Sequence, residues 1–176
     1  MAACALLGAL AALALFFAWD AGLFLPRWTE WSESSISADL DGGGAKELVE
    51  LSRRRVSVEG DVAFETPTDW KVFSVATADL DGNGTNELLM ALWKRGADGT
   101  SRAIWEDGWH PHFAQHLYVY TAKDGELVPF WMGGDLDARI TSMSVDEDSH
   151  VHLMTLRGED TVWEWSTWGF SRIDTE

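Results

Sequence analysis

The chain has 176 residues, 46% of them hydrophobic, with a formal net charge of −16 and a sequence pI of about 4.5. That length fits one compact domain with an N-terminal appendage and excludes two ordinary domains. The acidic balance argues against nucleic acid and anionic membrane surfaces as partners, because its field repels phosphates, and it makes cations the expected company. A single cysteine, Cys4, excludes an intrachain disulfide and a thiolate metal cluster.

Residues 1–25 read as a signal anchor or signal peptide. No charge interrupts Ala2 to Ala18, and after Trp19 and Asp20 the apolar character resumes from Ala21 to Leu25, before Pro26 and Arg27. A bilayer core needs about 20 apolar residues in a helix, so one transmembrane pass is expected, with Asp20 snorkelling near its end. The stretch lacks a basic n-region and a clear small-x-small cleavage site, which favours an anchor over a cleaved leader. Ala2-Ala3-Cys4 mimics a lipoprotein site, but here the apolar run follows the cysteine instead of preceding it. Residues 26–33 read as a linker and 34–176 as one β domain.

Within that domain an internal repeat dominates. Shifting the chain by forty positions lays Ala38-Asp39-Leu40-Asp41-Gly42, Gly44 and Glu47-Leu48 on Ala78-Asp79-Leu80-Asp81-Gly82, Gly84 and Glu87-Leu88. A period near forty residues is the spacing of propeller blades and similar β arrays. Ahead of the second copy, Val72, Ser74, Ala76 and Ala78 alternate with Phe73, Val75 and Thr77, as a half-buried strand prefers, and Leu88 to Trp93 forms a second apolar run. Further strands are predicted at 55–59, 116–122, 127–132, 139–145, 151–156 and 161–165, with Asp124-Gly125 as a hairpin turn. Val145-Asp146-Glu147-Asp148 followed by His150 to Leu156 reads as a third copy whose glycine loop has been lost or shortened.

Reading on from Asp79, oxygen-bearing side chains fall at alternate positions: Asp79, Asp81 and Asn83, with Glu87 closing the loop and Thr85 placed to offer its backbone carbonyl. A calcium ion takes six to eight oxygen ligands, and a tightly turning loop can point alternate residues inward together. Gly82 and Gly84 permit the positive φ that such a turn demands. The first copy offers Asp39, Asp41, the Ala45 carbonyl and Glu47 in the same places, but has Gly43 where the second has Asn83. An EF-hand is excluded, since the second loop has Met90 where a bidentate glutamate is required and Asn86 where an apolar residue is required, and the first has Lys46 there.

Asp79 to Leu88 resembles the Asp-x-Asp-Gly-Asp/Asn-Gly-x-x-Asp/Glu-Leu loop of FG-GAP and VCBS repeats, found in integrin alpha-subunit propellers and many exported bacterial proteins. The resemblance covers residues 34–95. Segments at 93–96, 115–118 and 129–132 also resemble uncharacterised membrane-anchored bacterial proteins with such repeats. It implies an all-β fold of blade-like antiparallel repeats, a partial or degenerate β-propeller, with calcium as its cofactor and a weaker first site. About three to four blades fit after the anchor, too few for ordinary closure.

The expected function is a non-enzymatic, calcium-binding interaction module with a protein or glycan ligand. Arg27 and the Arg53-Arg54-Arg55 run favour a cytoplasmic C-terminal side, but calcium is abundant outside, and an extracytoplasmic domain is expected, or a secreted one if the leader is cleaved. The rivals are an enzyme or accessory subunit acting on envelope polysaccharide, suggested by eleven tryptophans and spare carboxylates, and a structural envelope protein with degenerate loops. No catalytic residue is assigned: Gly-rich phosphate loops, Gly-x-Ser-x-Gly elbows and Cys-His nucleophile pairs are absent from the sequence. His110, His112 and His116 are read as solvated or hydrogen-bonded, most tryptophans as core, and the arginine run as a solvated strand end.

Overall fold

The computed structural model describes residues 2–95, 112–134, 136 and 138–173, with side chains from Leu6 onwards. Among these residues one helix, α1 (Ala2–Asp20), precedes twelve strands. Strands β1 (Ser34–Ala38), β2 (Glu47–Ser52), β3 (Arg55–Glu59) and β4 (Phe64–Glu65) form one antiparallel sheet in chain order. Strands β5 (Lys71–Ala78), β6 (Glu87–Arg95), β7 (Phe113–Lys123) and β8 (Glu126–Met132) form a second, and β9 (Ile140–Val145), β10 (Val151–Thr155), β11 (Asp160–Ser166) and β12 (Gly169–Ile173) a third. The mainly β expectation therefore holds, as three four-stranded meanders. Among the described residues they form no closed barrel or ring.

The middle sheet explains the stack. Residues of alternating parity on β6 and β7 face opposite ways, and on β5 the bulge between Val72 and Ser74 shifts the alternation by one, so Val72, Val75, Leu88, Met90, Leu92, Tyr118 and Tyr120 pack with Val49, Leu51, Val56 and Val58 of the first sheet. Phe73, Leu89, Ala91, Trp93, Leu117 and Val119 pack with Ile140, Met143, Val151 and Leu153 of the third. Because both faces are covered, β6 is buried from Glu87 to Lys94, and its sequence reads as a continuous apolar run instead of an alternating one. The buried Gln115 on β7 joins the second sheet to the third: its amide nitrogen donates to the Ile140 carbonyl (2.6 Å) and its amide oxygen accepts from the Ile140 N–H (2.8 Å).

Two stretches make contacts far along the chain. Residues 26–33, read as a linker, pack onto the domain. Glu30 N–H donates to Thr141 O (3.0 Å), Ser32 Oγ donates to Phe73 O (2.8 Å), the Trp93 indole donates to Thr29 Oγ1 (3.2 Å), and Trp31 meets Phe73 edge to face. The arginine run, read as a strand end, is the β2–β3 hairpin, with Arg53 and Arg54 both at positive φ (50° and 66°). Arg54 then clamps the incoming chain, lying 3.9 Å over the Trp31 ring and donating to Gly22 O (2.9 Å), while Arg55 pairs with Glu65 (2.8 Å).

Helix α1 carries exposed Leu6, Leu7, Leu10, Leu13, Phe16 and Phe17, and is tied to the domain at its end, where Asp20 pairs with Arg95 and Trp19 meets Phe113. Among the described residues, no helix is long and apolar enough to cross a membrane.

Candidate metal centres

The two repeated loops are the connections between the first and second strands of their sheets: 39–46 joins β1 to β2, and 79–86 joins β5 to β6. Their backbones match, with Gly42 and Gly44 at φ +75° and +80°, and Gly82 and Gly84 at +73° and +89°. A side chain at any of these four would be strained, which explains why the glycines recur.

Each loop is wound around its leading aspartate. Asp39 Oδ1 accepts from Gly42 N–H (2.7 Å) and Oδ2 from Gly44 N–H (3.0 Å), while Asp79 accepts from Asn83 N–H (3.0 Å) and Gly84 N–H (2.9 Å). The second aspartate binds the next turn, Asp41 through Gly43 N–H (2.7 Å) and Asp81 through Asn83 N–H (3.1 Å). The closing glutamate is the first residue of β2 or β6 and is fully enclosed, at 0% exposure in both copies. Glu47 Oε2 accepts from Leu40 N–H (2.8 Å), and Glu87 Oε2 from Leu80 N–H (2.9 Å). This brings together the expected carboxylates: Asp39, Asp41 and Glu47, and separately Asp79, Asp81 and Glu87, each offer one oxygen within 4.8 Å of the others.

Two of the other expected ligands bond to each other. Asn83 Oδ1 accepts from Thr85 N–H (2.7 Å) and from the Thr85 hydroxyl, so these two residues brace the turn. Ala45 occupies the place of Thr85 in the first loop, and Gly43 leaves that loop without the amide brace.

The glutamates differ in their second oxygen, for a reason that lies on the third strand of each sheet. Glu87 Oε1 is approached by the Thr121 hydroxyl of β7 (3.4 Å). On the first sheet the facing residue is Gly60, which follows β3; a Cβ there would lie 3.0 Å from Glu47 Cγ and 3.3 Å from its Oε1. Glu47 Oε1 is thus buried with no hydrogen-bond partner among the described residues. An orphaned buried carboxylate oxygen is costly unless an opposite charge reaches it. Burial pushes the Glu87 carboxyl up, and Asp81 and Asp79 push it further; the Leu80 N–H and Thr121 hydroxyl oppose them.

The loops also touch. Asn86, at the end of the second, donates through its N–H (3.0 Å) and its side-chain amide (3.1 Å) to the Asp39 carbonyl at the start of the first. Thr85 lies so close to Gly42 that a Cβ there would meet its methyl at 2.7 Å.

The third copy sits on the same connection of its own sheet, between β9 and β10, but spans only 146–150 and has no glycine. Asp146 Oδ1 accepts from the N–H groups of Asp148 and His150 (2.9 Å each). Asp146 Oδ2 is approached by His150 Nδ1 and by His152 Nε2 (3.2 Å each), and His152 Nδ1 meets Asp160 Oδ2 (2.9 Å). The His150 N–H above all, with the imidazoles and the Asp148 N–H, holds the Asp146 carboxyl down at about 2. Asp160, then Asp146, pushes the His152 imidazole up.

Sequence reasoning missed Gly60, Thr121 and Asn86, whose roles arise from cross-strand register, and the His150, His152 and Asp160 grouping, whose only local signal is His-x-His beside acidic residues. Of the histidines weighed from sequence, His116 is buried in β7, His112 is exposed, and His110 lies outside the described residues, as do Trp105 and Trp109. Trp70 and Trp93 are buried, and Trp28, Trp31, Trp131, Trp163 and Trp165 pack on the third-sheet side of the core; Trp168 is 90% exposed. Compared with protein-family models, curated proteins and solved structures, the chain matches none, so the case for the loops rests on their own geometry.

Proposed function

We propose that this protein is a calcium-binding β-repeat module that works outside the cytoplasm, its two glycine loops each closing on one calcium ion. The observation that carries this reading is the duplicated cradle: two loop aspartates converge within 4.8 Å of a fully enclosed glutamate in both copies, and in one copy a buried glutamate oxygen lacks a partner. All-oxygen donors on a glycine-rich turn suit a hard cation that tolerates irregular coordination. At extracellular calcium levels, loops with dissociation constants of about 10⁻⁴ to 10⁻³ M are occupied.

In this reading the three meanders are blades of a partial propeller, and the leader directs export or association with a membrane. Calcium welds the first blade to the second, since the loops meet through Asn86 and Asp39. The welded edge presents a fixed surface to a protein or glycan ligand, a role that needs no catalytic group. Calorimetric calcium titration of the full chain tests the proposal. Two sites are expected, with the second lost in Asp79→Ala plus Asp81→Ala and the first lost in Asp39→Ala plus Asp41→Ala. Absence of binding at millimolar calcium would overturn it.

A further inference from the structure

The third loop has the same place in its sheet as the two glycine loops but a different set of donors. It has five residues instead of eight, no glycine, and no buried glutamate opening the following strand, which starts with Val151. It has fewer residues to bend towards the six or more oxygens that calcium prefers. What it offers instead is imidazole nitrogen with carboxylate oxygen, the donor mixture that suits zinc and its neighbours in the first transition row.

We propose that the β9–β10 loop is a binding site for a borderline divalent metal ion, with zinc as the type case, held by Asp146, Asp148, His150 and His152. Asp146, Asp148 and His150 each place a donor atom within 4.8 Å of the others. His152 Nε2 stands 3.2 Å from Asp146 Oδ2, the same oxygen that lies 3.2 Å from His150 Nδ1. Asp146 is therefore the hub that joins His152 to the other two, and side-chain rotation about it would bring the donors to the roughly 2.0–2.2 Å of zinc–nitrogen and zinc–oxygen bonds.

Asp160 supplies the supporting contact. It accepts a hydrogen bond from His152 Nδ1–H (2.9 Å) at the start of β11, which leaves Nε2 as the ligating nitrogen and fixes the ring plane towards Asp146. A carboxylate behind a ligating histidine in this way raises its basicity and orients it. His150 and His152 keep 32% and 28% of their side-chain surface exposed, so an ion enters from solvent and keeps room for water. The site does not depend on the calcium reading of the other loops.

The test is zinc titration of the full chain in the presence of excess calcium, followed by the histidine ring resonances in NMR spectra. One zinc equivalent is expected to shift the His150 and His152 rings while calcium leaves them in place, and cobalt is expected to give the d–d bands of a nitrogen–oxygen site. Asp160→Asn is expected to weaken zinc about 10- to 100-fold with the melting temperature little changed, and His150→Ala plus His152→Ala to abolish the site. The wild-type spectra decide the matter even if a variant fails to fold. Zinc that leaves both rings unmoved, or calcium that displaces it at equal concentration, overturns the proposal.

Discussion

Replacing Glu87 by glutamine separates a metal ligand from a structural carboxylate, because the two roles move stability in opposite directions. In the native chain Glu87 is fully enclosed and its carboxyl is pushed up by burial and by Asp81 and Asp79. A carboxyl whose folded pKa lies above its unfolded value loses stability as pH rises from the unfolded value through the folded one, since the folded state holds its proton longer. In chelator, the wild type should therefore weaken from about pH 4.3 upwards, and Glu87→Gln, which keeps an acceptor for the Leu80 N–H, should be as stable or more stable near neutrality. With calcium the order reverses. A site with a dissociation constant of about 10⁻⁴ M stabilises by about 1.4 kcal/mol at 1 mM ion and about 2.7 kcal/mol at 10 mM. For a chain of this size that is roughly 3–5 °C and 5–10 °C in melting temperature. Calorimetric melts in chelator and in calcium, at pH 5 and pH 7.5, read all four states. The reasoning fails if Glu87→Gln loses the same stability in chelator as in calcium, or if 10 mM calcium leaves the wild-type melt unmoved.

Three further outcomes follow from the packing. Asn86→Ala removes the side-chain donor to the Asp39 carbonyl and keeps the backbone N–H, so any cooperativity between calcium at the two loops should weaken, as calorimetry would resolve. Arg53→Gly relieves an exposed positive φ and should raise stability by about 0.5–1 kcal/mol in denaturant melts, since the left-handed region costs ordinary residues about 1–2 kcal/mol and the greater unfolded-state freedom of glycine offsets about 0.5–1 kcal/mol of that. Gln115→Leu leaves the N–H and carbonyl of Ile140 unpaired in a buried place and should cost about 2–5 kcal/mol by the same measurement.

The strands that could be read in advance were those whose pattern is local. The alternation before Asp79 became β5, the run after it became β6, and Asp124-Gly125 formed the β7–β8 turn with both residues at positive φ. The β2–β3 turn was illegible because arginine is a poor residue for a left-handed turn; its stability comes from Arg54 reaching Trp31 and Gly22, a contact far away in sequence. Trp28 and Trp31 were the only hint that 26–33 is packed, set against Pro26 and the lack of any periodicity. In the loops, the repeated aspartates and glutamates were visible, but the orphaned oxygen of Glu47 depends on Gly60 across the sheet, which no motif encodes. The third copy was blurred because β6 and β7 are long and 96–112 intervene, carrying it far off the forty-residue register.

The middle sheet gives the molecule an unusual dependence of parts. In a long solenoid many internal units share the load between neighbours, and units can be peeled from an end. Here the central meander exposes apolar surface on two sides unless both outer meanders are present, while each outer meander has its main partner in the centre. Fraying should therefore begin at β4 and β12, the outermost strands of the flanking sheets, and the backbone amides of β6 should exchange only when the whole chain opens. A chain trimmed by one repeat would not be a smaller version of this protein; it would leave half of its keystone wet.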